Sequence, residues 1–260
     1  MGETRIETRL FLEADLAPDV TIGLDHGRAH FLRSVLRLER GAGLALFNGR
    51  DGEWLARLDG LGKGWASLYV LRQLRPQWAA PDLWLLFAPI KRARIDFLAE
   101  KATELGVAHL QPVMTQYTAM SRVNCERLAA NAREAAEQCG RLDVPSVGAP
   151  VALFDYLAGW PAERVLLVGA ESGDAIPMAK ALSDLAVAGE DAPPPSAILI
   201  GPEGGFAPSE LDALTNLPFV TAVGLGPRIL RADTAALTAL SLWQALLGDG
   251  AARPDRGAVT

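Results

Sequence analysis

The chain has 260 residues, half of them hydrophobic and 22% charged, with a formal net charge of −6. That composition excludes a disordered or low-complexity chain, and no apolar run approaches the roughly 18 residues a membrane-spanning helix needs. The start MGETRIETRLF lacks the apolar core of a signal peptide, and Cys125 and Cys139 have neither metal-ligand nor redox spacing, so a cytoplasmic protein with reduced thiols is expected.

The negative charge is unevenly spread. Residues 1–75 carry 11 Lys/Arg against 10 Asp/Glu and residues 76–150 carry 8 against 8, whereas residues 151–260 carry 6 against 13. A phosphate-binding surface is a local property, so the first two segments remain open to a nucleic-acid partner. Arg28, Arg33, Arg37 and Arg40, and the cluster Lys91, Arg92 and Arg94, are its candidates, although arginines on a helix face are ordinarily just solvated.

In chain order, ETRLFLE, GLALFNG, EWLARLDG and WASLYVLRQL read as short strands bounded by Gly, Asp and Asn. A helix is predicted between them over His26–Leu38, with Phe31, Val35 and Leu38 on one face and Arg33 and Arg37 a turn apart. A small barrel-like β domain over 1–75 fits this pattern, and the two prolines in Arg75–Pro81 mark a linker. From Asp82 the rhythm becomes strand, helix, strand: LWLLFAP, a helix over Arg94–Leu105 stopped by Gly106, then VAHLQPV. A second helix follows over Cys125–Cys139, with Asn124 as N-cap and Gly140 past its end. Three further strands each stop on a glycine loop: VLLVGAESG, AILIGPEGG and FVTAVGLG. The segment 186–197 reads as a surface loop. The helix over 232–247 is apolar nearly all round and should be covered on more than one face, by the monomer's own core or by a second copy of the chain. The tail 249–260 is expected to be mobile. Alternating strands and helices over 82–248 predict an α/β domain with a parallel sheet, whose ligands bind beyond the carboxyl ends of the strands.

The glycine loops narrow the ligand. A phosphate-binding P-loop needs Lys-Ser/Thr after its glycines, and here Gly204-Gly205 runs into Phe206-Ala207; no G-x-G-x-x-G string follows an early strand. The corner Gly201-Pro202-Glu203-Gly204-Gly205 instead offers bare backbone, as if a ligand had to approach closely. In GLGPRILRADTAAL, Arg228 and Arg231 stand beside the start of the last helix, where amides and guanidinium groups together make an anion site. His26, His30 and His109 have no neighbouring ligand set, and no metal is expected.

IGPEGGF followed by Glu210, LGPRILRADTA, KATELGV (101–107) and EAAEQCGR (134–141), occurring in this order, resemble the RsmE family, the bacterial uridine-N3 methyltransferases of 16S ribosomal RNA. HFLRSVLRLERG (30–41) resembles that family's PUA-like RNA-binding domain, so the likeness extends over the whole chain. The resemblance implies a SPOUT methyltransferase fold with a C-terminal trefoil knot after a small PUA-like β-barrel domain. It implies S-adenosylmethionine as cofactor, 16S rRNA of the small ribosomal subunit as substrate, and a homodimer. Cofactor contacts are expected from Leu167, Val168, Gly169, Ala170 and Glu171, from Ile200, Gly201, Pro202, Glu203, Gly204 and Gly205, and from Leu225, Gly226, Arg228, Ile229 and Leu230. RNA contacts are expected from Arg28, His30, Arg33, Arg37, Lys91, Arg92, Arg94 and Arg141.

Methylation at uracil N3 removes a proton whose pKa is well above neutrality, so a base or an anion-stabilising group is required. Glu203 and Glu104 are the candidate bases. Arg228 and Arg231 are candidates to stabilise the uracil oxyanion or hold a phosphate, with Arg231 favoured for that contact and Glu203 for shaping the pocket. Plainer roles stand beside these: Glu203 as a helix cap, and Glu104 as the partner of Lys101 on a helix surface. The family usually has Thr-Glu where this chain has Ala232-Asp233, which favours a structural role for Asp233 at the helix start. Another knotted RNA methyltransferase, acting on a ribose hydroxyl or on tRNA, and a non-catalytic RNA-binding module are the alternatives.

Overall fold

The computed structural model describes residues 5–78, 80–120, 122–170, 174–188 and 193–253. They form two compact units. The first comprises residues within 1–79 together with Ala136–Val144, and the second comprises Ala80–Ala135 and Pro145–Arg253.

The first unit holds one five-stranded sheet in the order β1-β3-β4-β5-β2, from β1 (Ile6–Phe11), β2 (Thr21–Leu24), β3 (Gly43–Phe47), β4 (Glu53–Gly62) and β5 (Trp65–Arg75). β1 runs parallel to β3 and the other pairs are antiparallel. β2 is too short to stand out in the sequence. The helix predicted over His26–Leu38 is shorter: α1 spans His26–His30, with Asp25 accepting the Arg28 N–H at 2.8 Å as N-cap, and one wide π-helical turn continues over Phe31–Val35. Its apolar face also differs from the expectation. Ala29 and Leu32 are buried and Leu36 packs against the same core, whereas Phe31 and Val35 are exposed. Both stripes have helical spacing, and only contact with the sheet decides between them. Arg37, with φ +55°, lies past the helical turns, so it does not continue a helix face from Arg33.

Ala136–Val144 belongs to the first unit rather than to the domain at 82–248, and a buried charge network gives the reason. Arg9 donates to the carbonyls of Ala136, Glu137 and Arg141 at 2.8, 2.9 and 2.6 Å, and Arg75 donates to Gly140 O at 3.0 Å. Glu53 lies between the two arginines, accepting from Arg9 Nε at 2.7 Å and Arg75 Nε at 2.8 Å. Guanidinium groups thus satisfy carbonyls at a helix C-terminus, where the helix dipole favours cations. Phe47, Ala136 and Leu142 pack beside the network.

The second unit is built on a sheet in the order β11-β13-β10-β12-β6-β7-β8, with β9 pairing with β7 off that path. Its strands are β6 (Leu83–Phe87), β7 (His109–Met114), β8 (Ser146–Val147), β9 (Val151–Ala152), β10 (Val165–Gly169), β11 (Ile176–Pro177), β12 (Ser196–Ile200) and β13 (Val220–Gly224). Every pair is parallel, as the alternating pattern predicts. The central strands are apolar on both faces, as burial by helices on either side requires: Leu166, Leu167, Val168, Ile198 and Leu199 are all inaccessible to solvent.

The helices are α2 (Arg92–Glu104), α3 (Cys125–Cys139), α4 (Leu153–Leu157), α5 (Met178–Ala188), α6 (Pro208–Thr215) and α7 (Ala232–Leu246). Asn124 caps α3 by accepting the Arg127 N–H at 2.9 Å, and Gly106 and Gly140 take the positive φ of helix-ending glycines. The expected loop 186–197 is shorter, because α5 continues through Ala188 and β12 starts at Ser196; residues 189–192 lie outside the described residues. α7 packs against α2, α5 and β12, which covers the several apolar faces seen in its sequence. Leu240 and Trp243 are fully buried, each such side chain stabilising by about 1.5–3 kcal/mol. Gln244, also buried, donates to Leu105 O at the end of α2 at 2.7 Å and accepts the Asp249 N–H at 3.0 Å. The start of the tail is therefore fastened to α7, and residues 254–260 lie outside the described residues.

Candidate active site

β10, β12 and β13 lie side by side, with Leu167 in register with both Ile198 and Thr221, so their glycine ends Gly169, Gly201 and Gly224 reach one edge of the sheet together. Beyond that edge lies a cleft of about 710 Å³. It is lined from the three strand-end loops by Gly169 and Ala170, by Ile200 to Phe206 and by Val223 to Arg231, with Ala232 and Ala235 of α7, Leu211 of α6 and Ala175 closing it. The size is that of a small-molecule site, and much of the wall is main chain. The start of α7 faces the cleft, and Ala235 N is already bonded to Arg231 O at 2.7 Å.

The corner glycines have different reasons to be glycine. A Cβ on Gly201 would lie 3.1–3.3 Å from the Phe206 ring and press on it, and Gly205 has φ +69°, so the fold itself disfavours a side chain at both. Gly204 has no such constraint: an added Cβ would make ordinary contacts of 3.6–4.0 Å with Tyr117. Gly224 is similar, with Ile176 O at 3.9 Å. Close approach of a ligand therefore accounts for fewer of these glycines than the sequence reading assigned to it.

The expected cofactor residues fall mostly on the cleft. Gly169, Ala170, Ile200, Gly201, Pro202, Glu203, Gly204, Gly205, Leu225, Gly226, Arg228, Ile229 and Leu230 line it. Leu167 and Val168 do not; they are buried inside the sheet and hold β10 in place. Glu171 lies outside the described residues. Ala175, Phe206, Leu211, Val223, Gly224, Pro227, Ala232 and Ala235 also line it and lay outside the expected set, because small and apolar side chains carry no chemical motif to mark them.

Glu203, Arg228 and Arg231 are exposed on the cleft wall, so one carboxylate and two guanidinium groups flank the space. Glu104 is elsewhere. It sits on α2 with its carboxylate 2.7 Å from Lys101 Nζ, the helix-surface pairing, and is not among the lining residues. Asp233 accepts the Thr234 N–H at 2.9 Å and lies 3.9 Å from Arg94 Nε, which fits a structural carboxylate at a helix start. Arg94 is accordingly directed to Asp233.

Of the other expected RNA contacts, His30, Arg33 and Arg37 are exposed in the first unit, and Arg28 is half-buried with Nε 3.8 Å from Asp25. Lys91 is exposed at the start of α2, and the side chain of Arg92 lies outside what the structure describes. Arg141 departs from the expectation: it is 6% exposed and its Nε donates to Asp143 at 2.9 Å, so it belongs to the interior of the first unit. At the opposite, amino-terminal edge of the second unit's sheet, His109 has a pKa pushed below its ordinary value of 6.5. Burial is the largest cause, opposed by the hydrogen bond to Gln111 and seconded by the Arg164 charge. Its ring lies 5.0 Å from that of Trp84, whose face carries the Arg164 guanidinium at 3.7 Å. No helix among the described residues is long and apolar enough to cross a membrane.

Residues 77–244 match the RNA methyltransferase domain family, and residues 24–65 match the RNA methyltransferase PUA domain. The ribosomal RNA small subunit methyltransferase E of Rickettsia conorii is 34% identical over 90% of this chain and 93% of its own length; that of Synechocystis is 30% identical over 92% and 78%. Among solved structures, a methyltransferase of Legionella pneumophila in complex with bound SAM superposes with a TM-score of 0.82 at 28% identity, covering 94% of this chain and 99% of that one. The ribosomal RNA small subunit methyltransferase E of Neisseria gonorrhoeae, bound to S-adenosyl methionine, superposes with a TM-score of 0.81 at 27% identity, covering 93% and 98%. With a backbone-walled cleft at the carboxyl edge of a parallel sheet, and with both of its domain types matched, the chain belongs to the ribosomal RNA small subunit methyltransferase E family.

Proposed function

We propose that this chain transfers the methyl group of S-adenosylmethionine to N3 of a specific uridine in 16S rRNA, acting on the small ribosomal subunit as a cytoplasmic homodimer with the cleft loops wound in the family's trefoil knot. The observation that carries this reading is the 710 Å³ cleft, whose walls are the bare loops 200–206 and 223–231. Two similar proteins were solved with this cofactor bound, and the curated relatives are named for small-subunit ribosomal RNA.

The fit is physical. Main-chain N–H and C=O groups at Gly169–Ala170, Gly201–Gly205 and Leu225–Gly226 offer directional donors and acceptors for a nucleoside. Gly224 leaves its side of the wall open, because no conformational demand fills it. When bound there, S-adenosylmethionine supplies an electrophilic methyl group. The chain's own part is to position the acceptor, exclude water and handle the N3 proton. Glu203, exposed on the wall, is the carboxylate available to accept that proton directly or through water. Arg228 and Arg231 flank the same space and stabilise negative charge on the uracil oxygens as N3 loses its proton, or hold a flanking phosphate. The exposed His30, Arg33 and Arg37 of the PUA-like unit supply phosphate contacts.

Methyl incorporation from labelled S-adenosylmethionine into unmodified small subunits and into free 16S rRNA, with the modified base located by mass spectrometry, tests this proposal. A single uridine gaining one methyl at N3 is the expected result. Methyl on a ribose hydroxyl, or no transfer to either substrate, would overturn it.

A further inference from the structure

Beside the cleft, outside its lining, stands an exposed aromatic side chain with no assigned task. β7 ends at Met114, and the next residues close a tight turn: Thr118 N donates to Thr115 O at 3.1 Å, and Thr115 N donates to Thr118 Oγ1 at 2.9 Å. Tyr117 projects from this turn with 47% of its surface exposed, and its hydroxyl has no partner among the described residues. It stands against the open side of Gly204: a Cβ built there would be 3.6 Å from Tyr117 Cβ and 3.9 Å from its Cδ2.

The placement is fixed by one carboxylate. Glu210, in the first turn of α6, accepts the Gln116 N–H at Oε1 at 2.8 Å and the Ala207 N–H at Oε2 at 3.0 Å. Both oxygens are thereby used, one on each segment, so the turn carrying Tyr117 is fastened to the end of the glycine corner across 94 positions of sequence. An exposed aromatic ring on a turn held this firmly is presented beside the glycine corner in a fixed place.

Gly204 completes the picture. Its backbone does not need glycine, and an added Cβ would already touch Tyr117 at 3.6–4.0 Å, so the glycine packs along one side of Tyr117 and leaves the exposed part of the ring uncovered. A flat, unpaired base is what that exposed ring suits, because single-stranded RNA bases are recognised by stacking on aromatic side chains.

We propose that the exposed face of Tyr117, beside the glycine corner, is the slot that receives the target base, the pyrimidine stacking on the ring with its N3 edge turned toward the cleft, and that Glu210 is the positioning residue of that slot. This rests on the uridine methyltransferase function proposed above. The slot would make Tyr117 part of substrate binding and leave cofactor binding untouched.

The test uses the full chain, unmodified small subunits as substrate, and separate measurement of kcat/KM for RNA and Kd for S-adenosylmethionine. Tyr117→Ala should lower kcat/KM by roughly tenfold to a hundredfold, the scale of one lost base–aromatic stack, with cofactor Kd unchanged. Tyr117→Phe should stay close to wild type, since it keeps the ring. Tyr117→Ala that methylates normally, or loses cofactor affinity in step with turnover, overturns the slot; so does Tyr117→Phe failing as badly as Tyr117→Ala. A wild-type chain that transfers no methyl to ribosomal RNA would sink the proposed function itself, and the slot with it, a result distinct from any variant's failure.

Discussion

Arg9 and Arg75 can be set against Arg228 and Arg231. The first two are sunk in the PUA-like unit, share the carboxylate of Glu53, which is 5% exposed, and donate to four main-chain carbonyls. The second two stand exposed around a cleft, with no side-chain hydrogen bond or ion pair among the described residues. In the sequence all four are arginines next to apolar residues. The difference teaches that a guanidinium group whose donors are all used by the fold is structural, whereas one left in water beside a concave wall is available for a ligand.

Removing Glu53 should break the comparison most sharply. Glu53→Ala leaves two buried guanidinium groups without their counter-charge and should destabilise the chain by about 3–5 kcal/mol, read from urea denaturation; a loss under about 1 kcal/mol would mean that the network is solvated in solution. Arg231→Ala should do the opposite. Turnover should fall by about a hundredfold if the guanidinium stabilises charge at the reacting base, with a melting temperature within a degree or so of wild type, as for surface substitutions generally. A marked drop in melting temperature with full turnover would falsify the assignment of Arg231 to the ligand side.

Smaller effects sharpen the same contrast within the glycine corner. Gly205→Ala forces a side chain into the left-handed region and should cost about 1–2 kcal/mol of stability, whereas Gly204→Ala should cost almost none. Equal losses in thermal melts would show that the two positions are not distinguished by backbone demand. The smallest effect is expected at His109. Its pKa is held below 6.5 in the folded chain, so the unfolded chain binds the proton more readily. The neutral ring's contribution to stability is therefore complete above pH 6.5 and declines as pH falls below that value toward the folded pKa. Melting curves at pH 7.5 and 6.0 should show this decline in the wild type and a weaker one in His109→Gln, whereas identical slopes would remove His109 from the pH response.

Much of the cleft was legible in the sequence because its signals are local. Three apolar runs ending on glycines specify buried parallel strands and their exits, and Arg228 and Arg231 follow directly on one of them. The phase of the first helical segment was not legible, since Phe31-Val35-Leu38 and Ala29-Leu32-Leu36 have equally helical spacing, and packing on the sheet covers the second set together with Leu38 while Phe31 and Val35 stay exposed. Glu104 illustrates the same limit: a carboxylate's neighbours in space, here Lys101, decide whether it serves a helix surface or a site.

By itself, the sequence determined the change from successive short strands to an alternating α/β pattern near residue 82, the helix ends at Gly106 and Gly140, and the glycine exits around the cleft. Each depends on the conformational freedom or hydrophobic period of a few adjacent residues. Only the tertiary structure decided that Ala136–Val144 packs with the first unit, that Arg141 is interior, that Gly204 alone in its corner has neither a positive φ nor a tight neighbour, and that Glu210 fastens Tyr117 beside it. These depend on hydrogen bonds and contacts between residues distant in the chain, such as Arg9 with Arg141 and Gln116 with Glu210. Such pairs have no fixed spacing, so they acquire a partner only when the chain has folded.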